Sequence, residues 1–304
     1  MSTHDSPTLA DRLFVATQHA IPQHFLSRLV YRLTRSRLPG VKNALIKSFM
    51  RGFSPDMSDA MQRDPLAYAS FNEFFTRALR PGARPIDPND SVLVSPVDGA
   101  LSQIGRLDGS QIVQAKGHSY SLEALLDYGS SQANWASRFT DGCFATLYLA
   151  PFNYHRIHMP LSGTLGAAWY VPGQLFSVNA VTAAAVPGLF ARNERVVCIF
   201  DDGPRLFAMV LVGALFVGSM ETVWHGEITP RNPRRPLELP LDTTRAPLHL
   251  EKGEEMGRFN MGSTVILITA PDMIDWLLNI KAGDSVSVGQ PLGRLRGRMM
   301  AAYG

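Results

Sequence analysis

Cysteine is scarce in this chain, with only Cys143 and Cys198 among 304 residues. Their spacing fits neither a zinc site nor a disulfide framework, so no metal site is expected from them. Both lie in apolar runs, which predicts buried, reduced thiols and a reducing compartment.

Long apolar segments are missing too. No apolar run approaches the roughly 20 residues of a transmembrane helix. The opening Met-Ser-Thr-His-Asp lacks the charged and apolar regions of a signal peptide, so no leader is expected. The remaining composition, with 45% hydrophobic and 18% charged residues, is that of a globular protein with an ample core.

Acidic residues are absent between Asp11 and Asp56. Residues 1–55 carry eight Lys or Arg against two Asp, whereas the rest of the chain is slightly acidic. Pro22 and Pro39-Gly40 divide this basic stretch into helical segments. We therefore expect a basic helical region at 1–55 and a separate body at 56–304.

The segment from Gln23 to Ser36 is predicted to form an amphipathic helix. Its apolar side chains share one face: Phe25, Leu26, Leu29, Val30 and Leu33. Three arginines, Arg28, Arg32 and Arg35, share the opposite side. Such a helix can lie in a membrane interface with its arginines on anionic head groups, or it can pack its apolar face on the body. Nucleic acid is disfavoured, because the basic residues have no interleaved aromatics and no known binding motif.

From Ser91 onward the pattern is that of a β-rich domain, with short apolar runs separated by Gly, Pro, Asp and Asn. The expected strands lie within 91–97, 142–150, 195–200, 206–216 and 264–270. Helices are expected within 71–79, at 122–126 and at 273–278. Segment 280–293 resembles the hairpin of lipoyl-like sandwich domains, without a lysine at its tip. The fold class is therefore predicted as α+β, with N-terminal helices followed by a sandwich or barrel-like domain.

One Gly-Ser pair, Gly262-Ser263, stands directly before a strongly apolar strand. Most such pairs are turns, although a hydroxyl at the mouth of a buried strand can be held rigidly. His155 and His158 follow another apolar strand, and Asp98 ends a Ser-Pro-Val-Asp-Gly turn. Each of these residues has an ordinary structural role as an alternative to a chemical one.

Asp98, His158 and Ser263 together supply the carboxylate, base and hydroxyl of an activated nucleophile. Sequence does not establish that they meet in space. Ser263 is not in a Gly-x-Ser-x-Gly elbow, which disfavours an α/β-hydrolase. Polar residues within 170–179 and 192–195 could line an anionic-substrate pocket or pair charges at the surface.

Several motifs together resemble the bacterial phosphatidylserine decarboxylases. They run in order from about Leu26 to Gly293, at 71–86, 95–99, 154–160, 170–179, 189–195, 218–224 and 257–264. The family usually has Leu-Gly-Ser-Thr where this chain has Met261-Gly262-Ser263-Thr264. The change from Leu to Met nearly conserves volume and leaves the Gly-Ser pair intact.

The resemblance implies a proenzyme that cuts itself at the Gly262–Ser263 bond, giving a β chain of residues 1–262 and an α chain of residues 263–304. The serine hydroxyl attacks the preceding carbonyl, and Ser263 becomes an N-terminal pyruvoyl group. The family's triad maps to Asp98, His158 and Ser263, with His158 taking the hydroxyl proton and Asp98 holding the ring.

The implied reaction converts phosphatidylserine to phosphatidylethanolamine, with the pyruvoyl carbonyl accepting the electrons released as carbon dioxide leaves. His155 is the implied proton donor and His158 the alternative. The implied location is peripheral, on the cytoplasmic side of the cell membrane, and a homodimer is common in the family.

Two other functions remain open. A Ser-His-Asp lipid esterase would keep the chain whole and react with fluorophosphonates. A non-catalytic membrane-binding module would tolerate Ser263→Ala. Neither explains why a Gly-Ser pair precedes a strand alongside a separate Asp and a His pair.

Overall fold

The computed structural model describes residues 8–126, 134–203, 205–216, 219–231, 234–241, 244 and 246–297. The helices are α1 Leu9–Ala20, α2 Gln23–Thr34, α3 Pro39–Phe53, α4 Phe71–Phe75, α5 Leu122–Leu126, α6 Trp135–Phe139, α7 Ala180–Ala185 and α8 Leu189–Arg192. The strands from the first half of the fold are β1 Val92–Val94, β2 Gly99–Arg106, β3 Gln111–Ala115, β4 His118–Ser121, β5 Cys143–Tyr148, β6 Arg156–His158, β7 Gly163–Val171, β8 Arg195–Asp201 and β9 Leu206–Val212. The later strands are β10 Met220–Thr222, β11 Gly226–Glu227, β12 Leu237–Glu238, β13 His249–Leu250, β14 Glu255–Phe259, β15 Thr264–Thr269, β16 Ile274–Trp276, β17 Ser285–Val286 and β18 Pro291–Leu295.

The N-terminal helices begin and end where proline and glycine predicted. Pro22 separates α1 from α2, and α3 begins at Pro39, where a missing backbone N–H costs no helical hydrogen bond. In the described part of the chain no helix is both long and apolar enough to cross a bilayer. The basic region is therefore three separate helices.

A large antiparallel sheet organises the body, in the order β12-β7-β8-β9-β15-β5-β2-β17, with β13 also pairing β7. Strand β15 lies in its middle, hydrogen-bonded to β5 on one side and β9 on the other. All six residues of β15 are buried, as its unbroken apolar run predicts. The Gly262-Ser263 pair therefore enters the sheet at its centre.

Two smaller sheets position the remaining candidate residues. One has the order β11-β10-β14-β6 and pairs the histidine strand β6 with β14, which leads directly to the Gly-Ser pair. The other has the order β1-β18-β16. The strands β3 and β4 form a separate two-stranded sheet.

The sandwich or barrel-like prediction needs correction. The described strands form antiparallel sheets that are not closed into a barrel. The two strands of the predicted 280–293 hairpin join different sheets: β17 pairs with β2, and β18 pairs with β1 and β16. The lipoyl-like hairpin is therefore not confirmed.

Two helix predictions also differ from the structure. Segment 273–278 contains a strand, β16, because Ile274–Trp276 pairs along β18; this long-range pairing overrides the local pattern. Helix α4 ends at Phe75, and Leu79 instead forms a bridge with Ala60.

The core consists of one extended cluster around the large sheet and one small aromatic cluster. The aromatic cluster joins α3 to α4 and contains Ile46, Phe49, Phe71, Phe74 and Phe75. Met261, the residue before the Gly-Ser pair, packs against both clusters. The Gly-Ser pair thus lies where the helical region meets the sheet.

Candidate active site

Ser263 is completely buried at the entrance to β15. Its hydroxyl donates to the carbonyl oxygen of Val212, and its own carbonyl oxygen accepts the amide of Leu149 at 2.9 Å. These two contacts come from the strands on either side, so the sheet itself fixes the hydroxyl and the backbone next to it.

Gly262 lies in a confined space between Leu149 and His155. A methyl group on its Cα would lie 3.3 Å from the carbonyl oxygen of Leu149 and 3.4 Å from Cε1 of His155. Both distances are tighter than ordinary van der Waals contact. Glycine is therefore the residue that lets the chain pass this close to the imidazole.

His155 is a buried imidazole with one nitrogen unused. Its ring stacks on Phe75 at 4.1 Å between centroids, and Nε2 is 3.2 Å from the carbonyl oxygen of Pro151, to which it donates. Its Nδ1 is buried without a hydrogen-bond partner in the described residues. Burial lowers the pKa of His155 to about 3. The ring is therefore neutral at physiological pH, with an unused lone pair on Nδ1.

His158 lies on β6 with both ring nitrogens engaged. Nδ1 is 2.8 Å from the carbonyl oxygen of Gly253, and Nε2 is 3.1 Å from the hydroxyl of Tyr154. Burial lowers the pKa of His158, and the bond to Gly253 opposes that effect. His158 is thus held neutral and oriented, which suits a base.

Asp98 is held by a guanidinium and not by an imidazole. Arg84 donates to both of its oxygens, with contacts of 2.6 to 3.0 Å, and the amide of Val288 donates to Oδ1 at 2.9 Å. Arg84 also reaches Asp59 at 3.0 Å. The hydrogen bonds that Arg84 donates to Asp98 raise the pKa of Arg84. The carboxylate of Asp98 is therefore fixed in direction by the guanidinium of Arg84 and the amide of Val288.

The structure thus brings together some of the predicted residues and separates others. His155 lies against Gly262, while Asp98, His158 and Ser263 each bond to other partners. Asp98 and Tyr154 line one polar cavity of about 150 Å³, which places the carboxylate on the same side as the partner of His158. Direct contact within the Asp98, His158 and Ser263 set stays a prediction.

An apolar cavity of about 430 Å³ opens beside the Gly-Ser pair. Its wall includes Met261 and Gly262 on one side and Ser177 and Val178 on another. Residues of the helical region, among them Val30 and Phe53, complete it. Sequence reasoning identified the apolar periodicity of these helices but not their place in a cavity wall.

Most of the polar set at 170–179 and 192–195 has a structural role. Arg195 is buried and donates to the carbonyl oxygens of Ala124, Leu125 and Ala191. Burial raises the pKa of Glu194, which accepts a hydrogen bond from Tyr170. These charges are engaged inside the fold, so they neither line an anion pocket nor pair at the surface.

The orientation of α2 is the reverse of an ordinary amphipathic helix. Its apolar residues Phe25, Leu29 and Leu33 are exposed by 60%, 55% and 43%. Its buried side chains are polar: Gln23, Ser27 and Thr34. Arg28 and Arg32 are exposed beside the apolar row. The other two residues of the predicted apolar face, Leu26 and Val30, are half-buried, and Val30 lines the cavity, so the packing of this face on the body holds for only part of it.

Known proteins similar to this chain share one description. A family model described as phosphatidylserine decarboxylase matches residues 71–294, and a second, described as PSD, matches residues 13–54. A protein of Stutzerimonas stutzeri is 51% identical over 288 residues, covering 94% of this chain and 95% of its own. Proteins of Bordetella pertussis and Azotobacter vinelandii are 51% and 50% identical, covering 93% and 94% of this chain and 94% and 99% of their own lengths. All three carry the name phosphatidylserine decarboxylase proenzyme.

Proposed function

The chain belongs to the phosphatidylserine decarboxylase family, and from that premise we propose that it cuts itself between Gly262 and Ser263 and works with a pyruvoyl group made from Ser263. The substrate is phosphatidylserine and the product phosphatidylethanolamine. The mature enzyme then consists of a β chain, residues 1–262, and an α chain, residues 263–304. One observation carries this proposal: a Gly-Ser pair whose serine is fully buried enters the central strand, and a neutral imidazole lies against its glycine.

Self-cleavage uses the hydroxyl of Ser263 as nucleophile. Its Oγ bonds to the carbonyl carbon of Gly262 while the C–N bond between the two residues breaks, which gives an ester. Elimination releases the carboxylate of Gly262, and water then displaces ammonia to leave a ketone at residue 263. We assign the hydroxyl proton to His158, whose depressed pKa keeps it neutral at pH 7.

Asp98 completes the assignment as the carboxylate that stabilises His158 when the ring becomes charged. In the uncleaved chain each of these groups is bonded to another partner, so the assignment requires Nε2 of His158 to leave Tyr154. Such an exchange costs on the order of 1 kcal/mol for one neutral hydrogen bond. This cost is small compared with the activation free energy of peptide-bond cleavage.

The residues around Ser263 fit a pyruvoyl group. The fit rests on the unpartnered Nδ1 of His155, which is buried with its ring against Gly262. When formed, the pyruvoyl carbonyl supplies an electron sink for the loss of carbon dioxide. We assign the return of a proton to the substrate carbon to His155, whose Nδ1 lone pair first takes a proton from the ammonium group of the substrate, with His158 as the alternative. The apolar cavity beside Gly262 is the proposed entrance for the lipid.

Intact-mass spectrometry of the denatured protein tests this proposal. Wild-type protein should give two species, one ending at Gly262 and one starting at a modified residue 263 that reacts with hydrazine. Ser263→Ala should give one intact chain. Thr264→Val is the matched control, because the buried Thr264 hydroxyl has no hydrogen-bond partner among the residues that the structure describes and the change nearly conserves shape; it should cleave normally. Cleavage of Ser263→Ala would exclude the mechanism, and an uncleaved, fluorophosphonate-reactive wild type would favour an esterase.

We also propose that residues 1–55 dock the enzyme on an anionic membrane surface and that residues 56–304 form the catalytic domain. The support is the outward apolar row Phe25, Leu29 and Leu33 with Arg28 and Arg32 beside it. The cavity is also lined by two exposed aromatic residues, Phe53 and Phe216, which are 46% and 41% exposed. The cytoplasmic leaflet, which is rich in anionic lipid, is the proposed location.

Vesicle co-sedimentation tests the docking proposal. Replacing Phe25, Leu29 and Leu33 together by Ser should reduce binding to phosphatidylserine vesicles, and so should high salt, which screens the arginines. The matched control replaces exposed apolar residues away from α2, Val113 and Leu278, by Ser. Equal losses in both variants would contradict the proposal. The homodimer implied by the family resemblance is tested separately, by light scattering of the detergent-solubilised protein.

A further inference from the structure

Two glutamines, Gln18 and Gln23, are buried on the inner side of the helical region. Each is almost inaccessible, at 2% and 9% exposure, although several apolar neighbours on the same helices face outward. A buried amide is costly unless its donors and acceptors are used, so these side chains should be fully engaged.

Both glutamines bond to the backbone of one segment of the body. Oε1 of Gln18 accepts the amide of Ser177, and Oε1 of Gln23 accepts the amide of Leu175, each at 2.7 Å. Nε2 of Gln23 donates to the carbonyl oxygen of Gln18 at 2.7 Å, which links the two helices. The ring of His24 extends the pattern, with Nε2 2.9 Å from the carbonyl oxygen of Gly173.

The other edge of this segment is bonded to the body. The amide of Gln174 donates to the carbonyl oxygen of Arg192, and its own carbonyl oxygen accepts the amide of Glu194. Residues 173–177 therefore behave as a short strand whose outer edge is completed by side chains of α1 and α2. Ser177, at its end, lines the cavity beside Gly262.

The far end of α2 reaches the Gly-Ser pair by a second route. Arg35, just after α2, donates to the hydroxyl of Ser219 at 3.3 Å, and Ser219 accepts a hydrogen bond from Asn260. Asn260 is two residues before Gly262. Helix α2 and the residue after it thus bond to segment 173–177 and, through Ser219, to the chain two residues before Gly262.

We propose that Gln18 and Gln23 are positioning residues that hold segment 173–177, and with it Ser177 in the cavity wall, in place for the lipid substrate, and so connect the docked helices to substrate binding. The inference rests on the proposed function, since it takes this cavity as the substrate site. Neither glutamine touches the reacting bond. Their loss should therefore disturb substrate binding and leave self-cleavage and vesicle docking in place.

The test compares Gln18→Met, Gln23→Met and Gln18→Glu in the full-length, processed enzyme. Methionine keeps the length of the side chain but removes both polar atoms. Glutamate at position 18 keeps the oxygen that Ser177 needs. Burial disfavours its charged form, and the protonated carboxyl can donate as the amide does, to the hydroxyl of Thr182 or the carbonyl oxygen of Phe14, which lie 3.3 and 3.4 Å from Nε2. Gln111→Met makes the same chemical change at an exposed position of β3 and is the matched control.

Three measurements are made on each variant: extent of cleavage by intact mass, binding to phosphatidylserine vesicles, and decarboxylation of short-chain phosphatidylserine below its micelle-forming concentration. Both methionine variants should cleave and bind vesicles like wild type but show KM raised about tenfold or more, with kcat changed less than about threefold. Gln18→Glu should restore KM to within about threefold of the wild-type value. Gln111→Met should have the same KM as wild type.

The outcomes separate the two proposals. No cleavage or no carbon dioxide from wild type and Gln111→Met would contradict the proposed function. If the wild type is active and both methionine variants have its KM, the inference is overturned but the proposed function is not. The same conclusion follows if Gln18→Glu is as impaired as Gln18→Met. Failure of both methionine variants to yield folded protein would assign the glutamines to folding and would also overturn it.

Discussion

The hydroxyl of Tyr154 lies 3.1 Å from Nε2 of His158 and donates to it. The direction of this bond follows from the other nitrogen: Nδ1 is 2.8 Å from the carbonyl oxygen of Gly253, which can only accept, so Nδ1 carries the proton. Burial raises the pKa of Tyr154 to about 12, which keeps the phenol protonated. The lone pair that a base requires is therefore occupied in the uncleaved chain.

Tyr154→Phe should move the pH dependence of self-cleavage. A hydrogen bond to the neutral ring disfavours the charged form, so its removal raises the pKa of His158. A bond worth about 1 kcal/mol corresponds to about 0.7 pH unit. The pH at which the cleavage rate is half of its plateau should therefore rise by about that amount, measured by gel densitometry after a pH jump. An unchanged midpoint would mean that ionisation of His158 does not control cleavage.

Arg84→Gln should destabilise the fold. It leaves the carboxylate of Asp98 nearly buried with only the amide of Val288 as partner, at a cost on the order of 2 kcal/mol in the free energy of unfolding. Denaturant unfolding in the uncleavable Ser263→Ala background measures this loss of stability. Arg80→Gln removes an ion pair to Asp59 from a more exposed side chain and should cost less than about 1 kcal/mol.

A double variant checks the cause of that loss. Adding Asp98→Asn to Arg84→Gln removes the unpaired charge, so part of the lost stability should return. No recovery would indicate that Arg84 acts through its packing and not through the charge of Asp98.

His155→Gln should separate maturation from turnover. Glutamine can keep a donor near the position of Nε2, which bonds Pro151, but it has no imidazole to deliver a proton. The variant should cleave, and its rate of decarboxylation should fall by about 10²- to 10⁴-fold, the usual contribution of a general acid. Carbon dioxide release from labelled phosphatidylserine measures it. Normal turnover would remove the proton-donor assignment.

Acid should destabilise the uncleaved protein through its buried histidines. Burial lowers the pKa of His155 to about 3 and also lowers that of His158, whereas in the unfolded chain both return to about 6.5. Between those values the unfolded state binds more protons, so the stability present above about pH 6.5 is lost as the pH falls, by up to about 1.4 kcal/mol per unit for each histidine.

Denaturant unfolding of Ser263→Ala at pH 7.5 and at pH 5.5 measures this loss. His155→Gln in the same background should lose stability less steeply, by about 1.4 kcal/mol less between pH 7.5 and pH 5.5. The free energy of unfolding of this variant at pH 7.5 measures how much stability is lost through packing alone, and so serves as the control. Equal slopes in the two proteins would show that His155 is not kept neutral by its burial.

The predicted helices and strands were confirmed where residues close together in sequence determine the structure. The prolines at 22 and 39 separate α1, α2 and α3, and unbroken apolar runs became the buried strands β5, β8, β9 and β15. The predictions failed where pairing with residues distant in sequence determines the structure. Residues 273–278 became a strand because β18 was available to pair, and the 280–293 segment was divided between two sheets.

The candidate residues were likewise recognised without their contacts. His155 and His158 are three apart in sequence, yet only His155 lies against Gly262, while His158 bonds to Tyr154 and Gly253. The contact of the Arg84 guanidinium with Asp98 had no signal in the sequence pattern, because the two residues lie fourteen positions apart with strand β1 between them. Gln18 and Gln23 were missed because buried amides leave no periodic signature.

By itself, the sequence determined which residue types this protein brings to its chemistry, where its helices break and which strands are buried, since all three depend on local composition. Tertiary structure alone decided which face of α2 points outward. An amphipathic pattern specifies two faces but not their directions, and here Gln23, Ser27 and Thr34 face the body while Phe25, Leu29 and Leu33 face out. For Gln23 the physical reason is that the body offers the backbone amide of Leu175, which needs a partner, so a polar side chain is favoured inside.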